Sequence, residues 1–172
     1  MALVSYVTNQ DAGEKVKTVF EGMEKKVGAV PNVFRAMAHN PEMLEAFLAL
    51  NATLSKTRLD GKLRELAYIK TSELNGCDYC LHHHRTLGKK AGLDDRQVSE
   101  TLEFEESDAY DDLQREVMRY AEQVTRHINV DDALFESLKK ALGDREIVEL
   151  AMTVGIANFT NRVTETLRME LP

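Results

Sequence analysis

Helical spacing, interrupted by few stop signals, is what most limits the folds open to this chain. Its 172 residues contain three prolines, Pro31, Pro41 and Pro172, and no strand-like alternation of apolar and polar residues persists. Val16, Phe20, Met23 and Val27 fall at steps of four, three and four, one apolar stripe with Lys and Glu on the other side, and Gly28 ends it. Pro31 and Pro41 each fit a first helical turn. They predict a short helix through Val33, Phe34 and Met37, then a longer one through Met43, Leu44, Phe47, Leu48 and Leu54, capped by Asn40.

The same rules carry the reading onward. A helix should start near Asp60, run through Leu63, Leu66, Ala67 and Ile69, and break at Asn75-Gly76, a pair that readily leaves helical geometry. Cys77 and Cys80 open the next helix, which contains Gly88. Ala91-Gly92-Leu93-Asp94 reads as its end and as the cap of another, carrying Val98 and Leu102. Glu105 to Asp112 is an acidic loop, and helices over Leu113 to His127 and Asp131 to Leu142 precede a long final one from Asp144 to Met169. The expected class is all-α, a helical bundle in one domain spanning residues 1–172.

Asp60, Leu63, Glu65, Leu66 and Ala67 recur 84 residues later as Asp144, Ile147, Glu149, Leu150 and Ala151. An internal two-fold helical repeat would explain this, and so would two amphipathic helices with acidic starts. At the same offset Cys77, Cys80 and His84 become Asn161, Thr164 and Arg168. A second copy would therefore have lost its thiols and kept a packing role.

Charge and hydropathy exclude several functions. A formal net charge of -7 argues against an electrostatic grip on nucleic acid or an anionic membrane, which would want clustered Lys and Arg. The first residues lack the basic and apolar regions of a secretory signal, and no stretch approaches ~20 uninterrupted apolar residues. The expected location is cytoplasmic. A chain of this size hides roughly 70% of its unfolded surface, so its core needs no disulfide scaffold. In a reducing compartment, two cysteines in one short motif are more often catalytic, redox-active or metal-binding than structural staples.

That motif is Cys77-Asp78-Tyr79-Cys80-Leu81-His82-His83-His84, with Glu65 upstream. If a helix begins near Cys77, the two sulfurs lie one turn apart, and Cys80 and His84 form an i, i+4 pair on the same face. Amides of the first turn and a nearby imidazolium both favour thiolate. Such a pair suits peroxide reduction: one thiolate attacks the O–O bond and becomes a sulfenic acid, and its neighbour condenses with it to a disulfide. Glu65 and His84 are candidate proton-relay residues. Glu65 reaches the site only if the break at Asn75-Gly76 folds the two helices together. His83, three beyond Cys80, could line the site; His82 turns away, and His39 and His127 read as ordinary.

Glu65, eleven intervening residues, Cys77-x-x-Cys80 and then His84 resembles the alkylhydroperoxidase D family of the carboxymuconolactone decarboxylase-like superfamily. The likeness extends to Gly28-Ala29-Val30-Pro31-Asn32, to Asn40-Pro41, and to Glu149-Leu150-Ala151 through Asn161-Arg162. It implies that Cys80 becomes the sulfenic acid, that Cys77 is proton donor and disulfide partner, and that Glu65 and His84 relay protons. It also implies a peroxide substrate, an external dithiol reductant of lipoyl or thioredoxin type, and a trimer or hexamer. The best-known members place a histidine immediately before the second cysteine, where this chain has Tyr79, whose phenol could serve as donor. For self-association, Met152, Val154, Ile156, Ala157 and Phe159 offer an apolar run.

Other chemistries compete. Zinc would use the two thiols and a histidine, but a closed site needs a second ligand pair that no other segment supplies. Neither a metal nor another cofactor is expected. A thioredoxin-like scaffold would present its cysteines after a strand, absent from this reading. The thiols could instead fill a helix interface, with Glu65 paired to Arg64 or Arg85. A superfamily member without peroxidase activity, decarboxylase-like or serving only in binding or assembly, is the remaining alternative.

Overall fold

The computed structural model describes residues 1–171 and is helical, with no strand among them. In chain order the helices are α1 (Glu14–Val27), α2 (Asn32–Met37), α3 (Pro41–Thr53), α4 (Gly61–Leu74), α5 (Asp78–Lys90), α6 (Asp95–Ser99), α7 (Asp112–His127), α8 (Asp132–Ala141) and α9 (Asp144–Thr166). The all-α class expected from periodicity is therefore the observed one. Two compact units can be told apart: residues 1–55 with 164–171, and residues 56–163.

The first unit encloses Ala12, Val16, Phe20, Val30, Ala38 and Leu44. Gly28 stops α1 in the left-handed region at φ 84°, its N–H donating to the Glu24 carbonyl. Asn40 caps α3, its side chain accepting from the Met43 N–H at 3.0 Å, with Pro41 in the first turn. A 3-10 turn over Leu54–Lys56 follows α3.

The second unit is built around α4. From Glu65 through Ser72 every residue of that helix is buried, the signature of an element covered on all sides. Leu63 and Ala67 join Val117, Ala121, Leu138, Leu150 and Val154 in one apolar cluster. Leu66 and Ile69 join Leu81, Val98, Phe104 and Met118 in another. Full enclosure also buries Lys70, whose ammonium lies 3.0 Å from Glu122 on α7 and 4.4 Å from the centre of the Phe104 ring.

Gly88 shows how tightly this unit is packed. A Cβ there would meet Leu93 Cδ1 at 3.0 Å, Val98 Cγ1 at 3.2 Å and Ile69 Cδ1 at 3.3 Å, whereas one at Gly155 would meet nothing within 4 Å. Alanine gains about 1 kcal/mol of helix propensity over glycine, but overpacking costs about 1–3 kcal/mol. Gly88→Ala is therefore expected to lower the thermal midpoint and Gly155→Ala to raise it, each by a few degrees. Shifts of the same sign in parallel melts would show that Gly88 is not a packing position.

Three sequence expectations need correction. The helix expected to carry Leu102 ends at Ser99, and Leu102 is exposed. The acidic stretch after it is fastened by Arg115, which donates to the Phe104 and Ser107 carbonyls, and by Arg119, paired with Glu105. The final helix stops at Thr166 rather than Met169. The run from Met152 to Phe159 is not one surface: Val154, Ile156 and Ala157 are buried, while Met152 and Phe159 are exposed. Neighbours on a helix face lie three or four apart, and the exposed stripe comprises Val148, Met152 and Phe159.

Candidate active site

Cys77 and Cys80 stand as thiols at the start of α5. Cys77 is the N-cap: its sulfur accepts the Cys80 N–H at 3.3 Å, taking the place usually held by a Ser or Asp oxygen. The turn before it is set by Gly76 at φ 64°, conformationally easy for glycine, and by the Cys77 N–H donating to the Ser72 carbonyl at 2.9 Å. Asn75 ties that turn to α9, donating from Nδ2 to Asn158 Oδ1 at 3.1 Å and Asn161 Oδ1 at 2.9 Å. Asn161 in turn donates to Ser72 Oγ at 3.1 Å. The cysteine turn is thus held by a hydrogen-bonded amide network.

The reversal at Asn75-Gly76 lays α5 against α4 and brings His84 to Glu65. The separation from His84 Nδ1 to Glu65 Oε2 is 2.8 Å. A carboxylate oxygen accepts, so the hydrogen is on Nδ1, and Nε2 is left as the nitrogen that exchanges protons. Arg64 donates from Nε to the other oxygen, Oε1, at 3.2 Å. Glu65 is 5% exposed. Of the two arginines considered as its partner, Arg64 takes the role, whereas Arg85 pairs with Glu73.

Tyr68 occupies the same neighbourhood. Its ring stacks on His84, with centroids 3.4 Å apart and planes 9° from parallel. Burial pushes its phenol well above the ordinary tyrosine range, and repulsion from Cys80, Cys77 and Glu65 adds to this while a hydrogen bond with Thr160 opposes it. The Tyr68 ring thus lies on His84, within electrostatic reach of Cys80, Cys77 and Glu65. The sequence reading passed over Tyr68, although its position three beyond Glu65 on a helix was a usable signal.

Tyr79 and His83 form a pair of their own along α5, edge to face with centroids 5.0 Å apart. Burial, with His82 and His84 nearby, holds the His83 imidazole below its ordinary range, and its buried Nε2 has no hydrogen-bond partner. His82 is exposed, and His39 bonds to Ser5. No cluster of three or more potential metal ligands of the His, Cys, Asp or Glu type occurs among the described residues. Both cysteines are buried, Cys77 at 0% and Cys80 at 2%, so a small molecule reaches the thiols only when covering side chains move.

The supposed second copy of the motif has a different geometry. α4 breaks at Asn75, but α9 runs unbroken through the corresponding positions. Glu149, the counterpart of Glu65, accepts the backbone N–H groups of Arg58 and Leu59 at 2.8 and 2.9 Å. Its job is to hold the chain leading into α4.

Taken together, fold and site define a class: helical proteins that set a dithiol at a helix start beside a carboxylate–imidazole pair. Residues 41–123, which include Glu65, Cys77, Cys80 and His84, match the carboxymuconolactone decarboxylase family. Over those residues the chain is similar to that family. It is similar to an uncharacterized peroxidase-related protein from Silicibacter sp. TM1040, at 28% identity and TM-score 0.87, covering 98% of this chain and 91% of that one. It shares its fold with an alkylhydroperoxidase AhpD core protein from Ralstonia eutropha JMP134, at 24% identity and TM-score 0.84, over 99% and 92% of the two chains. It also shares it with the debrominase Bmp8 in complex with 2,3,4-tribromopyrrole, at 24% identity and TM-score 0.85, over 100% and 92%.

Proposed function

We propose that this protein is a thiol-dependent peroxidase acting on hydrogen peroxide or organic hydroperoxides. The observation that carries the reading is the 2.8 Å contact between His84 and Glu65 beside two thiols at a helix start. Electrons come from sulfur, and the departing oxygen needs a proton. An imidazole backed by a buried carboxylate can supply it. The family likeness and the peroxidase-related relative support the same reading.

The steps balance without a further cofactor. The Cys80 thiolate attacks one peroxide oxygen; an S–O bond forms, the O–O bond breaks, and the alkoxide or hydroxide leaves with a proton delivered through His84 and Glu65. Cys80 is now a sulfenic acid. The Cys77 sulfur attacks it, an S–S bond forms, and water departs. An external dithiol of lipoyl or thioredoxin type then reduces the disulfide by thiol exchange. The Cys77 sulfur accepts the Cys80 N–H at 3.3 Å, which supports pairing of the two cysteines.

Mass spectrometry after stoichiometric peroxide tests the assignment. The wild type should lose two mass units on forming the intramolecular disulfide, about −2 Da as two thiols become one S–S bond. Cys77→Ser should instead trap a sulfenic acid on Cys80. No mass change at either sulfur in the folded protein would end the peroxidase reading, and a trapped species on Cys77 in Cys80→Ser alone would reverse the roles.

A further inference from the structure

Tyr68 donates nothing to the steps above, yet it touches the relay directly. It lies three residues beyond Glu65 on α4, so the two side chains leave the helix on one side. Glu65 holds the His84 ring by its edge, through Nδ1 at 2.8 Å. Tyr68 covers the face of the same ring at 3.4 Å. A histidine held by one hydrogen bond keeps a broad choice of ring rotation. Held by edge and face together, it does not.

The tyrosine is itself anchored. It is 3% exposed, and its hydroxyl is hydrogen-bonded with the Thr160 side chain on α9. Thr160 gives its own proton to the Ile156 carbonyl at 2.9 Å. Thr160 is thus bonded to its own helix as well as to the phenol. A chain of contacts runs from the α9 backbone through Thr160 and Tyr68 to His84. It ends on the imidazole whose free nitrogen must face the reacting sulfur or oxygen.

We infer that Tyr68 is a positioning residue for His84: its buried ring, pinned by Thr160, fixes the imidazole plane so that proton delivery is aimed while Glu65 holds the opposite edge. Its kinetic consequence rests on the peroxidase reading; its structural consequence does not. Misplacing a catalytic group by about 1 Å can cost on the order of a hundredfold in rate, so loss of the stacking ring should be felt without loss of any reacting atom.

The test has two arms. In the wild type, nuclear magnetic resonance should show the carbon-bound ring protons of His84 shifted upfield by the stacked ring, with cross-relaxation to Tyr68 ring protons. Tyr68→Leu should abolish the upfield shift and slow peroxide oxidation of Cys80 at least about tenfold. Tyr68→Phe, which retains the ring, should restore most of both. Wild-type spectra lacking shift and cross-relaxation overturn the inference with no variant needed, so it stays testable even if Tyr68→Leu fails to fold. So does a folded Tyr68→Leu that oxidises at the wild-type rate. If the wild type does not react with peroxide but its His84 protons are stacked and respond to the variants, the positioning stands and the peroxidase reading falls.

Discussion

Replacing Cys80 by serine is expected to lower the rate of peroxide consumption at least about a thousandfold, because the hydroxyl cannot supply the nucleophile that every later step needs. The loss should be a chemical one. Serine matches cysteine closely in shape, and the Cys80 N–H still finds the Cys77 sulfur as its acceptor. The thermal midpoint should consequently stay close to that of the wild type. Cys77→Ser should behave differently: a first turnover at near-normal rate, followed by arrest as the sulfenic acid finds no partner. Glu65→Gln keeps the shape of the acid but removes its charge, and should slow the first step by about 10²–10⁴-fold, the usual worth of positioned acid–base catalysis. Stopped-flow measurement with stoichiometric hydrogen peroxide separates the three. Full peroxide consumption by Cys80→Ser would take the attacking role away from Cys80, whatever the other two did.

The second large effect is on stability, and it is asymmetric. Glu122→Ala should destabilise the protein by about 2–3 kcal/mol, because it leaves the Lys70 ammonium enclosed without its carboxylate. That is somewhat below the ~3–5 kcal/mol typical of breaking a fully buried pair, since Glu122 retains some access to solvent. Lys70→Met should cost much less. It removes the charge that needs compensation and leaves Glu122 with Arg126, 2.9 Å away.

The pH dependence of this pair has a definite sign. Burial disfavours the charged form of Glu122, but the hydrogen-bonded Lys70, with Arg126, outweighs it and holds the carboxyl below its ordinary 4.5. A depressed folded-state value means that the contribution is complete above about 4.5 and is lost as pH falls through the lower folded value. The stability gap between wild type and Glu122→Gln should therefore narrow on acidification below that point. Urea denaturation at neutral and acidic pH checks both statements. A Lys70→Met variant as unstable as Glu122→Ala would refute the asymmetry.

Local signals made much of the fold legible. The breaks at Gly28 and Asn75-Gly76, the cap at Asn40 and the helix start at Cys77 depend on residues whose preferences are intrinsic, and the structure has them where the sequence placed them. The approach of Glu65 to His84 was legible as a condition, because the intervening break had to fold the helices together. What escaped was set by tertiary packing. Nothing local distinguishes Lys70 from a solvated lysine; its enclosure follows from α4 being covered on every side. Tyr68 looks like any core aromatic until His84 lies on it. The role of Asn161 in holding the cysteine turn needs a partner 86 residues away. Leu102 falls past the early end of α6 at Ser99, and the Met152–Phe159 run is split because its apolar residues occupy different faces of α9.

Helix α4 carries both the acid of the site and residues of both apolar clusters. Chemistry and foldedness are thereby tied to one element, and any exchange along it alters both together. The adjoining α5 is different, since His82, Thr86 and Leu87 face solvent. A descendant acquiring a new role could alter that outer flank at little energetic cost, whereas its acid–imidazole pair would be inherited nearly unchanged.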